Sequence, residues 1–290
     1  MVASLWAIAQ RLLGHAGVAA NVSRDAQLDF MRWIYGTACV QAHWASPPCQ
    51  VEYPLPGATL VYQRIFKNAN DALRCNLHRL ARHHGPRIGF GTRKPTILFS
   101  FVREPAERFI SGYAEIEVRR RQARYGAFRA HPIGTELRAR AFIRDLLSFS
   151  LPRDYVYTHI VSQSGAFRMF GGVVMGHLEA FFTGWRRLQA LANATLPWDW
   201  ECMRRPDPSA NDRRVGFASR SAMGNLVNGD RNVRLAFQCA VLLPDYVCLG
   251  YAVPAADCVD VGFADSLPSW ARVVDDVRHE LCPEGVPWHV

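Results

Sequence analysis

The stretch Thr96-Ile97-Leu98-Phe99-Ser100-Phe101-Val102-Arg103-Glu104-Pro105-Ala106-Glu107-Arg108-Phe109-Ile110-Ser111-Gly112-Tyr113 decides how this chain is read. Thr96 to Val102 is a nearly continuous apolar run, which predicts a strand buried on both faces, as in a parallel sheet. Pro105 suits the first turn of a helix, where its missing N–H has no intrahelical partner. Ala106 to Tyr113 read as that helix. Arg103 then sits at the carboxyl end of the strand, the end at which open α/β sheets bind ligands. Arg108 and Ser111 are three positions apart and share a helix face. An arginine fork at the strand end and a hydroxyl further along the helix together suit a phosphate. The plain alternative is an exposed arginine, a helix-surface arginine and a serine at a helix crossing.

The same pattern occurs upstream. Ala58 to Phe66 reads as a β-rich strand, Lys67-Asn68-Ala69-Asn70-Asp71 as a turn, and Ala72 to His83 as a helix. Strand–turn–helix at 58–83 and again at 96–122 predicts an α/β fold with a parallel sheet. The N–H groups of the first turn and the following helix N-terminus make an anion site, to which Lys67 adds a point charge. No GxxxxGK[ST] motif is present, which disfavours ordinary ATP or GTP hydrolysis. Taken alone, Lys67 also reads as a loop lysine at a strand end.

Elsewhere, residues 1–30 predict a helix and a polar connector, and residues 31–58, with Pro47, Pro48, Pro54 and Pro56, an irregular segment. Helical spacing marks Arg138–Ser150 and Leu178–Ala192, with a short strand at Val173–Gly176 between them. Pro197 to Arg214 reads as polar and irregular, and Arg231 to Leu243 as a helix ending at Pro244. The expected organisation is an N-terminal extension over 1–57, a main domain over 58–255 and a C-terminal extension over 256–290 packed on that domain.

The chain has 290 residues, 34 basic and 25 acidic, and a formal net charge of +9. Only Lys67 and Lys94 are lysine. The surplus is spread along the chain and suits an anionic substrate or nucleotide better than nucleic acid. Eight cysteines are present, none in a CxxC pair or with zinc spacing. They read either as unpaired core thiols or as one or two disulfides formed in an oxidising lumen, Cys39 with Cys49 the pair suggested. Asn21 and Asn193 head glycosylation sequons. Met1 to Ala20 has neither a twenty-residue apolar run nor a clear signal layout, and reads as an amphipathic helix.

Strand–Lys67–turn–helix followed by strand–Arg103–(x7)–Ser111 resembles the Golgi carbohydrate sulfotransferases, including the chondroitin, dermatan and HNK-1 enzymes. The closest stretch is Arg103 to Tyr113, similar to that family's R-[DE]-P-x-x-R-x-x-S-x-Y. His159-Ile160-Val161-Ser162-Gln163 is similar to its H-x-x-x-Q segment, and Met175 to Glu179 to the strand-to-Glu element that follows. Leu243 to Tyr251 resembles its closing D-[YF]-x-x-[FL]-G-Y. The resemblance spans roughly residues 58–251 in the right order. It implies a P-loop-NTPase-like three-layer fold with a central parallel sheet. It also implies transfer of sulfate from 3′-phosphoadenosine 5′-phosphosulfate (PAPS) to a sugar hydroxyl, in the Golgi lumen or at its membrane. By the same resemblance, Arg64, Lys67, Asn68, Ala69, Asn70, Asp71 and Ala72 hold the 5′-phosphosulfate, and Arg103 and Ser111 the 3′-phosphate. One departure is Asn70-Asp71-Ala72, where the family has a small residue and then Ser or Thr. Asp71 puts a carboxylate beside the phosphosulfate, and is also a good helix N-cap.

On this reading Lys67 is catalytic, offsetting charge on the bridging oxygen, and no metal takes part. His159 is the first candidate for the base, ahead of Glu115 and His78. The expected partner is a carbohydrate acceptor, acidic or extended, with no nucleic acid and no transmembrane segment evident. Its groove is expected within 119–160 and 197–230, and Arg119, Arg120 and Arg121 either face that groove or form a solvated helix end. Two competing readings are a nucleotide-dependent phosphotransferase of related fold and a non-catalytic polyanion or glycan binder.

Overall fold

In the computed structural model both strand–turn–helix units, around Lys67 and around Arg103, are formed. The structure describes residues 2–14, 22–35, 50–55, 57–65, 67–84, 95–119, 127–165, 173–203, 210–253, 255–260 and 270–282. Asn21, Cys39, Cys49, Lys94, Arg120 and Arg121 lie outside them, and with them the expected Cys39–Cys49 pairing and most of the arginine run.

Strands β1 (Gln50–Pro54), β2 (Thr59–Gln63), β3 (Thr96–Val102) and β4 (Val173–His177) make one four-stranded sheet in the order β1-β2-β3-β4. β2, β3 and β4 run parallel, whereas β1 pairs antiparallel with β2. The protein is therefore a mixed α/β structure with a mostly parallel sheet. β1 corrects the irregular reading of 31–58. Its prolines obscured it, but Pro54 only ends the strand, and an edge strand tolerates proline. Burial along β3 increases toward its carboxyl end: Thr96 is exposed, Ile97 and Leu98 are half-buried, and Phe99 to Val102 are buried. The two-sided burial expected of the whole strand thus holds for the half that leads into Arg103.

The helices are α1 (Val2–Leu12), α2 (Arg24–Tyr35), α3 (Asn70–His84), α4 (Pro105–Val118), α5 (Glu136–Leu147), α6 (Phe181–Ala192), α7 (Ala210–Gly229), α8 (Arg231–Ala236), α9 (Leu243–Cys248), α10 (Ala255–Asp260) and α11 (Trp270–Leu281). Two expectations change here. α7 begins inside the segment read as irregular to Arg214. The helix expected over Arg231–Leu243 divides into α8, a wide π-helical turn over Phe237–Val241, and α9. Pro244 lacks the N–H that a continuous helix needs, and it lies in the first turn of α9.

The period-two alternation of strands sends Leu60, Tyr62, Phe99 and Phe101 to one core, with Leu73, Leu77 and Leu80 of α3 and Trp185 and Leu188 of α6. A larger core gathers Phe109, Tyr113 and Ile116 of α4 with Phe142 and Leu146 of α5 and Met223 and Leu226 of α7. α4 thus belongs to the helical core, packed against α7 and the turn Tyr155–Ile160. Three disulfides join Cys75 to Cys202, Cys239 to Cys258 and Cys248 to Cys282. Among the described residues no cysteine is free, which sets aside the unpaired-thiol alternative for these six.

Candidate functional site

The carboxyl ends of β2 and β3 are adjacent because those strands pair in parallel, Thr59 with Thr96 through Tyr62 with Phe99. The two turns that leave them therefore open side by side. Between them lies a cleft of about 510 Å³. Its walls include Arg64, Lys67, Ala69 and Asp71 from the first unit and Arg103, Ser111, Glu115 and Arg119 from the second. His159, Leu178, Gly216 and Arg220 complete much of the rest. The lining carries five cationic side chains against two carboxylates, Asp71 and Glu115.

The first turn has an unusual backbone. Lys67 and Ala69 have φ of 70° and 55°. Left-handed backbone at a residue other than glycine costs about 1–2 kcal/mol. Asn68 between them is fully buried, and its amide donates to Phe101 O at 2.9 Å and to Gln163 Oε1 at 2.7 Å. Those bonds tie the strained turn to β3 and to the loop after His159. Asn68 is therefore an internal brace and does not line the cleft. Ala72 is buried behind the turn, and the Asn70 side chain lies outside the described residues. α3 starts at Asn70, so Asp71 is inside the first helical turn and does not cap it. Its carboxylate lines the cleft and complements the helix N-terminus from there.

Lys67 Nζ lies 2.7 Å from Glu115 Oε2, and Arg119 Nε is 2.5 Å from the other oxygen. Burial raises the Glu115 carboxyl, but Lys67 and Arg119 outweigh it and hold it at about 2. Glu115 is thus a poor proton acceptor.

In the second unit, Glu104 accepts from Glu107 N at 2.6 Å and caps α4, with Pro105 in the first turn as the sequence predicts. Arg103 faces the cleft with Glu107 at 3.4 Å. Arg108 departs from expectation. It is 2% exposed and donates to Val161 O, so it braces α4 against the loop and does not share the cleft with Ser111. Most of α4 is buried, Arg108 included, while Ser111 and Glu115 line the cleft. Ser111 accepts a hydrogen bond of 2.8 Å from Arg220 on α7.

His159 is buried on the cleft wall. Its Nδ1 lies 2.8 Å from Val156 O, and a carbonyl only accepts, so Nδ1 carries the proton and Nε2 the lone pair. Burial is the main cause that lowers its pKa to about 4, with Lys67 and Arg119 adding to the effect. The ring is neutral at pH 7. His78 lies elsewhere, exposed on α3 and edge-on to Tyr53, and is not part of the cleft.

A layer behind the cleft joins the two turns. Gln163 accepts from Arg103 N at 3.0 Å and donates to Arg103 O at 2.7 Å, while also holding Asn68. Asp245 in turn accepts from Ser162 Oγ at 2.5 Å and from Gln163 N and Ser164 N at 2.9 Å each. Sequence reading found these segments without giving Gln163 and Asp245 a role. It missed Arg220 altogether, since no motif surrounds it. Among the described residues no His, Cys, Asp or Glu group is arranged to hold a metal ion, and no helix is long and apolar enough to cross a membrane.

No family model, curated protein or solved structure matches the chain.

Proposed function

We propose that this protein is a sulfotransferase that moves the sulfuryl group of PAPS to a hydroxyl of a carbohydrate, in a three-layer P-loop-like fold. The observation that carries this reading is the shared cleft. Lys67 with its turn, and Arg103 with Ser111, come from two stretches far apart in sequence and line one cationic space. At about 510 Å³ that space lies in the range of small-molecule sites. Its excess of cations suits a ligand with several phosphoryl or sulfuryl groups.

PAPS supplies the activated sulfuryl group when bound. Arg103 and Ser111 take the 3′-phosphate, and the turn from Lys67, with Arg64 beside it, takes the 5′ end. Lys67 leaves Glu115 to offset charge on the oxygen released. His159 Nε2, neutral at working pH, accepts the proton of the acceptor hydroxyl. Arg119 stands at the rim, where an acidic acceptor would pass. The three disulfides suit an oxidising lumen such as that of the Golgi.

Calorimetry with 3′-phosphoadenosine 5′-phosphate and with AMP tests the reading. Tighter binding of the bisphosphate is expected, because only its 3′-phosphate engages Arg103 and Ser111. Equal affinities would remove the sulfotransferase. Dependence of turnover on Mg²⁺ would point to the phosphotransferase, and glycan binding without transfer of labelled sulfate to the non-catalytic binder.

A further inference from the structure

Arg220 belongs to α7, a helix outside every segment that resembles the sulfotransferases. It reaches the cleft because α7 packs along α4. Gly216, one turn earlier, makes the approach close: a Cβ there would sit 3.3 Å from Val118 Cγ2. Gly216 and Arg220 both line the cleft, and the Arg220 guanidinium donates to Ser111 Oγ at 2.8 Å. A serine that accepts from a guanidinium keeps its own O–H available as a donor.

We propose that Arg220 is the third ligand of an anion site shared with Arg103 and Ser111, and that it selects a terminal, doubly ionised phosphoryl group. For the ligand's identity this rests on the function proposed above. The Arg103 and Arg220 guanidiniums line one cleft with Ser111 and repel each other, a repulsion that an anion between them would relieve. Burial, and after it the nearness of Arg220, push the Arg103 guanidinium below its usual range, while Glu107, Glu179 and Glu104 act the other way. Glu107 at 3.4 Å offsets only part of that charge. A phosphomonoester carries nearly two charges at pH 7 and presents three oxygens, enough for two arginine forks and a hydroxyl. A phosphodiester has one charge and no free face for a second fork.

The test is calorimetry on the full chain with 3′-phosphoadenosine 5′-phosphate, AMP and inorganic phosphate, for wild type, Arg220→Gln and Arg220→Lys. Arg220 is on a helix surface, so the variants should fold, and circular dichroism checks this. Loss of one charge-assisted hydrogen bond predicts that Arg220→Gln weakens the bisphosphate about 10- to 100-fold. AMP should bind as before, and Arg220→Lys should recover part of the loss. Bisphosphate binding in Arg220→Gln equal to wild type overturns the inference and leaves the sulfotransferase reading standing. If wild type itself binds bisphosphate and AMP equally, that reading falls and inorganic phosphate decides the site. Phosphate binding lost in Arg220→Gln then upholds the inference. Phosphate binding unchanged, or absent from wild type, overturns it.

Discussion

Two residues in the cleft owe their character to their neighbours. Lys67 is paired with Glu115, and in the proposed function an anion takes the place of that carboxylate. Lys67→Ala is expected to lower sulfate transfer by about 10²–10³-fold, by analogy with loss of one preorganised donor at a developing negative charge. Transfer of labelled sulfate by both proteins measures it, and a fully active variant would make Lys67 an ordinary loop residue. His159 is buried neutral with a pKa near 4, against about 6.5 when unfolded. The unfolded chain therefore binds more protons than the folded one between those values. The stability linked to His159 is whole above about pH 6.5 and declines as pH falls toward 4. Between pH 7 and 5 the loss is about 2 kcal/mol. Urea unfolding of wild type and His159→Gln at both pH values checks this, and equal pH dependence in the two would refute it.

At the scale of elements, α4 positions the cleft, and Gly112 lets it do so. A Cβ on Gly112 would fall 2.3 Å from His159 O, a backbone atom that cannot turn aside. Gly112→Ala should therefore destabilise by about 1–3 kcal/mol and displace the loop that carries His159 and Gln163. Gly224 on α7 has nothing within 4 Å of an added Cβ. There Gly224→Ala should stabilise by about 0.5–1 kcal/mol. Opposite signs from one substitution in two helices, read by thermal unfolding, would attribute the first effect to the close approach. Two destabilised variants would mean that helical glycine itself, not the contact, matters.

Over the whole molecule, Cys75–Cys202 links α3, which begins at the Lys67 turn, to the short helical turn Trp200–Met203. Asn76 reinforces the link, accepting from Asp199 N at 2.6 Å. The bond spans 127 positions, and so strongly restricts the unfolded chain. Replacing Cys75 and Cys202 together by Ala should cost about 2–4 kcal/mol. Denaturant unfolding under non-reducing conditions measures it, and an unchanged midpoint would show that the bond contributes no stability.

The two units and their parallel order were legible because local signals coincide there: apolar runs, a helix-starting proline, and charged residues at strand ends. β1 and the start of α7 were not, because β1 draws its stability from pairing with β2, and α7 from packing on α4. For the site, sequence by itself determined that Lys67, Arg103 and Ser111 follow strands, since that is a local property. It also placed Asn68 and Arg108 beside them, but a side chain's direction is decided by what packs around it. Tertiary structure turned Asn68 and Arg108 inward, paired Lys67 with Glu115 and brought Arg220 to Ser111 across 109 positions. Hydrogen bonds and ion pairs of that range depend on helix–helix packing, which no spacing along the chain records.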